Sequence, residues 1–213
     1  MKKIIVIAAA LLLLGFQASA QLVVGGGYAF SSEKTTGVDG TTPFHGFYLG
    51  ANYRLPLGAG FGLAPGLYAS FMFHNETADG GSSIIGYNAI GSDREFALNV
   101  PVKLTYTLDL GHDRAVFAFV GPIFQLGITN ITIASRSGNL GIINVHVGDK
   151  VNNYDADNGT MNRFNIYLGG GVGVQLGDII FHMSYDHSLL DIDKSTKYVT
   201  SRGGFKLGVG LGF

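Results

Sequence analysis

The chain has 213 residues, 14 Lys and Arg against 15 Asp and Glu, and no Cys. The missing Cys excludes a disulfide framework and thiolate metal sites. A formal net charge of −1 leaves no basic footprint for a nucleic-acid partner.

Met1-Lys2-Lys3 is basic, the run from Ile4 to Leu14 is apolar, and Ala18-Ser19-Ala20 is a small-residue cleavage site. This pattern predicts a secretory signal peptide over 1–20, since the apolar run is shorter than the about 20 residues of a spanning helix. No Cys follows it, so a lipoprotein anchor is excluded. The remaining 193 residues (213 less 20) suit one domain, 21–213. Leaving out Lys2 and Lys3 takes the 14 basic residues to 12 against 15 acidic, a net charge of −3.

Eight stretches then alternate with a period of two, the signature of strands. They are Gln21–Phe30, His45–Leu55, Phe61–His74, Arg94–Leu108, Ala115–Ile128, Asn162–Leu176, Ile179–Ser188 and Gly203–Phe213. One face of each is apolar: Phe47, Leu49 and Tyr53 in the second, Phe96, Leu98, Val100 and Leu104 in the fourth, Phe181, Met183 and Tyr185 in the seventh. In the last, Phe205, Leu207, Val209, Leu211 and Phe213 share a face, while the other is Gly204, Lys206, Gly208, Gly210 and Gly212. Large apolar residues on one side and a nearly bare second side fit lipid outside and a crowded lumen inside. Pro65, Pro101 and Pro122 lie within strands and are expected at bulges or rims, because proline removes a ladder hydrogen bond.

The connections alternate strictly. Long ones run from Ser31 to Phe44, Asn75 to Asp93, Thr129 to Met161 and Leu189 to Arg202; between them are tight turns near Pro56–Gly60, Gly111–Arg114 and Gly177-Asp178. Short turns at one end and long polar loops at the other predict an all-β, eight-stranded antiparallel up-and-down transmembrane barrel. An even strand count puts both termini and the short turns on the periplasmic side and the long loops outside the cell. Two aromatic belts are expected: Tyr53, Phe61, Tyr106 and Phe213 at the turn end, and Phe30, Phe47, Phe73, Phe96 and Tyr185 at the loop end.

The final strand, with Lys206, Gly208, Leu211 and Phe213, resembles the C-terminal assembly signal of Gram-negative outer-membrane β-barrels. Phe96-Ala97-Leu98-Asn99-Val100-Pro101-Val102-Lys103-Leu104-Thr105-Tyr106 resembles a stretch of small porin-family and outer-membrane-β-barrel-domain proteins, of the OmpX and OmpA-transmembrane kind. The resemblance covers essentially all of 21–213. It implies outer-membrane lipid and lipopolysaccharide as surroundings, and the barrel-insertion machinery as a partner during assembly. It says little about activity, because that family is functionally mixed.

The face opposite the apolar one carries Tyr48, Asn52, Arg54, Tyr68, His74, Glu95, Asn99, Lys103, Asp109, Gln125, Asn165, Tyr167, Gln175, His182, Ser184, Asp186 and Lys206. An eight-stranded barrel is just wide enough for side chains to fill it. The charged members Arg54, Glu95, Lys103, Asp109, His182, Asp186 and Lys206 are therefore expected to form a lumen network that fixes register; the alternative is a charge-lined water path. His182, Ser184 and Asp186 on one strand also resemble the His-Ser pair of lipid A deacylases, but their phase points them inward, away from acyl chains. Asp155-Ala156-Asp157-Asn158-Gly159 is a shortened calcium-loop pattern without the closing bidentate Glu; a solvated turn is the simpler reading. The mid-strand runs Gly25–Gly27 and Gly169–Gly171 precede no helix and so are not phosphate loops. No cofactor and no catalytic set is expected. The role expected is structural or a surface interaction through the long loops, with a narrow diffusion pore and a lipid A-modifying enzyme as alternatives. The loops' ligand, and whether the loop from Thr129 to Met161 enters the barrel mouth, are open at this point.

Overall fold

The computed structural model describes residues 21–82, 85–140, 143–155, 159–194 and 198–213; side chains within strands are described outside 77–90 and 134–149. The expected signal peptide, 1–20, lies outside the described residues. Nine strands follow one another: β1 (Gln21–Thr35), β2 (Thr42–Gly58), β3 (Phe61–Ser82), β4 (Ile85–Gly111), β5 (Arg114–Leu140), β6 (Ile143–Asn152), β7 (Phe164–Leu176), β8 (Ile179–Ser188) and β9 (Thr200–Gly212). Eight of them close an antiparallel ring. β4 pairs with β5, β5 with β7, and β9 returns to β1 from Val23↔Gly212 to Thr35↔Thr200. Leu22 and Phe213 exchange backbone hydrogen bonds at the seam, so no ring strand is left with an unpaired edge there.

The tight turns form where the sequence places them. His112 and Asp113 have φ of 55° and 56° between the paired residues Gly111 and Arg114, the two left-handed positions of a hairpin turn that matches strand twist. Gly177, at φ 60°, opens the two-residue turn from Leu176 to Ile179.

The faces follow the alternation. Phe205 (61% exposed), Leu207 (54%), Val209 (48%) and Leu211 (48%) point away from the axis, while Gly210 and Gly212 are buried. The same holds for Phe47, Leu49, Val100, Leu104, Val172, Phe181 and Met183. A closed sheet clad in exposed Leu, Val and Phe satisfies its backbone internally and offers hydrocarbon to hydrocarbon, which is the condition for spanning lipid. The outward aromatics gather as expected: Phe61 lies on Tyr106 at 4.9 Å toward the turn end, and Phe47, Phe71 and Phe96 stack in a row at 5.2 and 4.6 Å toward the loop end.

Two expectations are corrected. The third and fifth connections are not loops for most of their length. β3 and β4 stay paired from His74↔Asp93 out to Ser82↔Ile85, and β5 continues to Leu140. At the rim β5 exchanges partners, from β7 (ending at Leu126↔Phe164) to β6 (from Ile131↔Asn152). The result is a four-stranded blade, β3-β4-β5-β6, running about 25 Å beyond the rim at roughly 3.3 Å per residue. Turn-rich composition in 75–93 hid this, because a ladder supplied by neighbours overrides weak local propensity. The interior prolines also depart from expectation. The pairing sum is unchanged on either side of Pro65 and Pro101, and Pro122 pairs in register with Leu168. The ladders skip Gly66–Leu67 and Val102–Lys103 without an offset; the shifts fall instead at Pro56/Gly58, Phe96/Ala97 and Asp109/Gly111. The barrel wall gives up a few hydrogen bonds mid-height and keeps its register.

Candidate functional site

The inward face builds three layers. Nearest the loops, Arg202 of β9 and Glu33 of β1 pair directly across the seam, and the Arg202 guanidinium also reaches Glu95 of β4 at 2.7 Å. Glu95 and Arg202 are buried, at 3% and 5% exposure, and the Glu33 side chain is nearly so at 10%. Arg202 lies 5.0 Å from the Phe44 ring centre. Asn130 donates to Glu95 at 3.4 Å, and Asn153 donates to Asn130 at 3.0 Å and to Thr132 at 2.8 Å. Tyr154, just past β6, is buried with its ring against Gly127, where a Cβ would collide with it. Burial pushes the Tyr154 hydroxyl well above its ordinary pKa, and the Glu95 carboxylate adds to the shift.

The segment after β6 and the one after β8 are tied into a cover. Asn162 donates to the Asp191 and Asp193 carbonyls at 3.1 and 3.0 Å, Arg163 donates to the Tyr154 carbonyl at 2.6 Å, and Ile192 is buried. The fifth connection therefore does enter the barrel mouth, through Tyr154. Lys194 donates to the carbonyls of Asp155 and Gly159, both at 3.0 Å. An ammonium of the chain itself therefore lies against Asp155 and Gly159; Ala156, Asp157 and Asn158, the rest of the calcium-loop pattern, lie outside the described residues.

The middle layer is mostly neutral. Tyr167 donates to Gln125, Gln125 to Asn99 and Asn99 to Ser70, at 3.2, 3.2 and 2.9 Å. Below it Lys206 meets Asp186 at 2.6 Å, and the Tyr48 hydroxyl meets His182 Nε2 at 2.9 Å. Gly208 sits under that contact; a Cβ there would strike both the Tyr48 hydroxyl and the His182 ring.

Toward the turn end the filling changes character. Arg54 donates to Gln175 at 2.9 Å and lies 4.3 Å from the Phe117 ring centre; Lys103 Nζ lies 4.3 Å from that of Phe119. Val23, Phe117, Phe119 and Ile180 form an apolar floor. Phe117 and Phe119 fit because their cross-strand partners are Gly173 and Gly171, whose absent side chains leave room for the rings.

Of the seven charged residues expected to share a network, Lys206 and Asp186 meet, Glu95 joins the upper cluster, and Arg54, Lys103 and His182 line one lumen cavity without a hydrogen bond to one another. Asp109 is the exception. It is exposed, next to the register shift at Asp109/Gly111, and its carboxylate accepts from the Gly111 amide at 2.8 Å; the strand has left the lumen by that point. The four residues of the C-terminal signature divide: Lys206 and Gly208 face inward, Leu211 and Phe213 outward. His182, Ser184 and Asp186 make no relay, since His182 bonds Tyr48 and Asp186 bonds Lys206. Ser188 accepts from the Arg202 amide at 2.8 Å while its neighbour His187 is exposed.

Sequence reasoning missed Arg202, Glu33, Asn130 and Tyr154, all assigned to loops. Arg202 and Glu33 carry a signal: each continues the inward phase of its strand, Arg202 four before Lys206 and Glu33 ten after Val23. The inward Phe117 and Phe119 were hidden by apolar neighbours on both faces of β5; the Gly169–Gly171 run on the adjacent strand is the sign that something large opposes it.

No protein-family model and no curated protein matches the chain. Solved structures do. Ail, the attachment invasion locus protein of Yersinia pestis, in complex with the heparin analogue sucrose octasulfate, is similar at 17% identity over 92% of this chain and 99% of that one, with a TM-score of 0.43. Neisserial surface protein A is similar at 13% identity over 92% and 99%, with a TM-score of 0.44. The N-terminal β-barrel domain of Pseudomonas aeruginosa OprF is similar at 11% identity over 91% and 97%, with a TM-score of 0.31. By its own strand pairing the chain described here is an eight-stranded antiparallel barrel, and its outward apolar wall is that of a transmembrane one.

Proposed function

We propose that this is an outer-membrane barrel whose work is done outside the membrane, by the blade, and that the barrel is a closed anchor for it. In this reading the signal peptide directs export, the final strand is read by the insertion machinery, and the apolar wall sits among outer-membrane lipid and lipopolysaccharide. The termini and short turns are periplasmic, and the blade is extracellular.

The observation that carries the reading is the blade itself. Among the described residues, β6 pairs with β5 over all ten of its residues and with nothing on its other side. β3 beyond His74 likewise has a ladder partner only in β4, because its pairing with β2 stops at His45↔Phe73. An unpaired strand edge is a template for another extended polypeptide, so proteins that leave one open generally use it or guard it. Building two such edges beyond the membrane, on a barrel whose mouth is filled, suits recognition of a protein surface better than passage of solute.

The test compares cells displaying the full chain with cells whose blade is shortened at 77–90 and 134–149, scoring adherence to protein-coated surfaces. Loss of adherence with an intact, heat-modifiable barrel is expected. Equal adherence, together with steady single-channel steps from the refolded full chain, would overturn the reading in favour of a pore. No catalytic role is assigned.

A further inference from the structure

We propose that the turn-end half of the lumen is a binding site for a small inorganic anion of the chloride class, held between Lys103 and Arg54. This goes beyond the anchoring role and does not depend on what the blade binds.

The first ground is charge. Below the mouth cluster the lumen holds the cations Arg54, Lys103 and Lys206 and one carboxylate, Asp186. Lys206 takes one oxygen of that carboxylate at 2.6 Å, and the other oxygen has no hydrogen-bond partner, so one negative charge faces three positive ones. Among the described residues no acidic side chain pairs with Lys103 or Arg54; each has the face of a phenylalanine instead, at 4.3 Å. A ring face stabilises a cation by about 0.5–2 kcal/mol, which falls short of the several kcal/mol that withdrawing a charge from water costs.

The second ground is space. A cavity of about 60 Å³ lies among these cations, lined by Asn52, Arg54, Tyr68, Lys103, Phe117 and Phe119 among others, and none of its lining residues is acidic. A second void of about 40 Å³ shares Tyr68, Lys103 and His182 with it. Each exceeds the roughly 10–15 Å³ a single water requires.

The third ground is the sense of the hydrogen bonds. The Tyr68 hydroxyl donates to Asn52 Oδ1 at 2.6 Å, which leaves the Asn52 amide N–H groups as donors toward the cavity. One Arg54 nitrogen is committed to Gln175; among the described residues, its remaining N–H groups and the Lys103 ammonium have no acceptor. A cavity with several donors in its wall takes an anion that accepts from more than one of them at once, and charge-assisted bonds of that kind are the strong ones.

The experiment uses the full chain refolded in detergent. Its unfolding midpoint is followed against sodium chloride and against sodium gluconate at matched ionic strength, and crystals grown in sodium bromide are measured at the bromine edge. Chloride is expected to raise the midpoint and gluconate not to; above the dissociation constant each tenfold of chloride adds about 1.4 kcal/mol of stability. Lys103→Met is expected to abolish the difference between the salts, and an anomalous peak is expected between Lys103 and Arg54 in the wild-type chain. Equal midpoints in the two salts, or bromide peaks confined to the outer surface, would overturn the proposal. The wild-type measurements decide the matter even if Lys103→Met fails to refold.

Discussion

At the loop end of the lumen, Arg202 has two carboxylates, Glu33 and Glu95, and a cover of Tyr154 and Ile192 over them. Toward the turn end, Lys103 and Arg54 have none, and rest on Phe119 and Phe117. The same problem, a cation inside a narrow barrel, is met in two ways. At the mouth the charge is cancelled locally by groups the chain supplies, so each member depends on the others. Lower down Lys103 and Arg54 rest on rings and on what shares the cavity with them, so removing one strands no carboxylate. The mouth is an interlocked closure, and the lower lumen is an adaptable filling.

The sharpest way to break this contrast is at Arg202. Arg202→Met leaves two buried carboxylates facing one another and is expected to cost about 3–5 kcal/mol, read as a lower urea midpoint of the refolded barrel. Combining it with Glu33→Leu and Glu95→Met should recover most of the loss, because a buried ion cluster exchanged whole for apolar side chains is often neutral. If the triple variant is as unstable as the single one, the cluster does more than cancel charge. Next in size is Gly173→Val, which drives a side chain into the Phe117 ring; overpacking of this kind costs about 1–3 kcal/mol, measured the same way. Lys103→Met is expected to change the midpoint in gluconate by less than about 1 kcal/mol, in either direction, since it strands no carboxylate. A loss comparable to that of Arg202→Met would erase the distinction between the two ends. The smallest effect belongs to Lys194→Met on the outer cover, where a solvent-exposed ammonium bonds two carbonyls; less than about 1 kcal/mol is expected.

The residues that a period of two identifies unaided are those whose neighbours differ sharply in polarity. Phe205, Leu207, Val209 and Leu211 alternate with Gly and Lys, so the outward face of β9 is legible without a structure. On β5 the same reading is ambiguous, because Phe117, Phe119 and Ile123 face inward between Val116, Ala118 and Val120, which face out. Arg202 and Glu33 lie past the point where alternation fades into Gly, Ser and Thr. Asp109 has the inward parity and keeps register with Ala115, but it lies in the last residues of β4 before the turn, where the lumen opens to solvent.

By itself the sequence determined the strand number of the ring, its up-and-down order, the side with the long connections and which residues coat the wall, because each is set by local alternation and turn chemistry within a dozen residues. Only the tertiary structure decided that two of the long connections stand up as a blade, that Tyr154 fills the mouth, and that Arg202 finds Glu33 and Glu95 while Lys103 finds a ring. Those outcomes depend on which strands closure of the ring makes neighbours. Glu33 and Arg202 are 169 residues apart in the chain and adjacent only because β9 returns to β1.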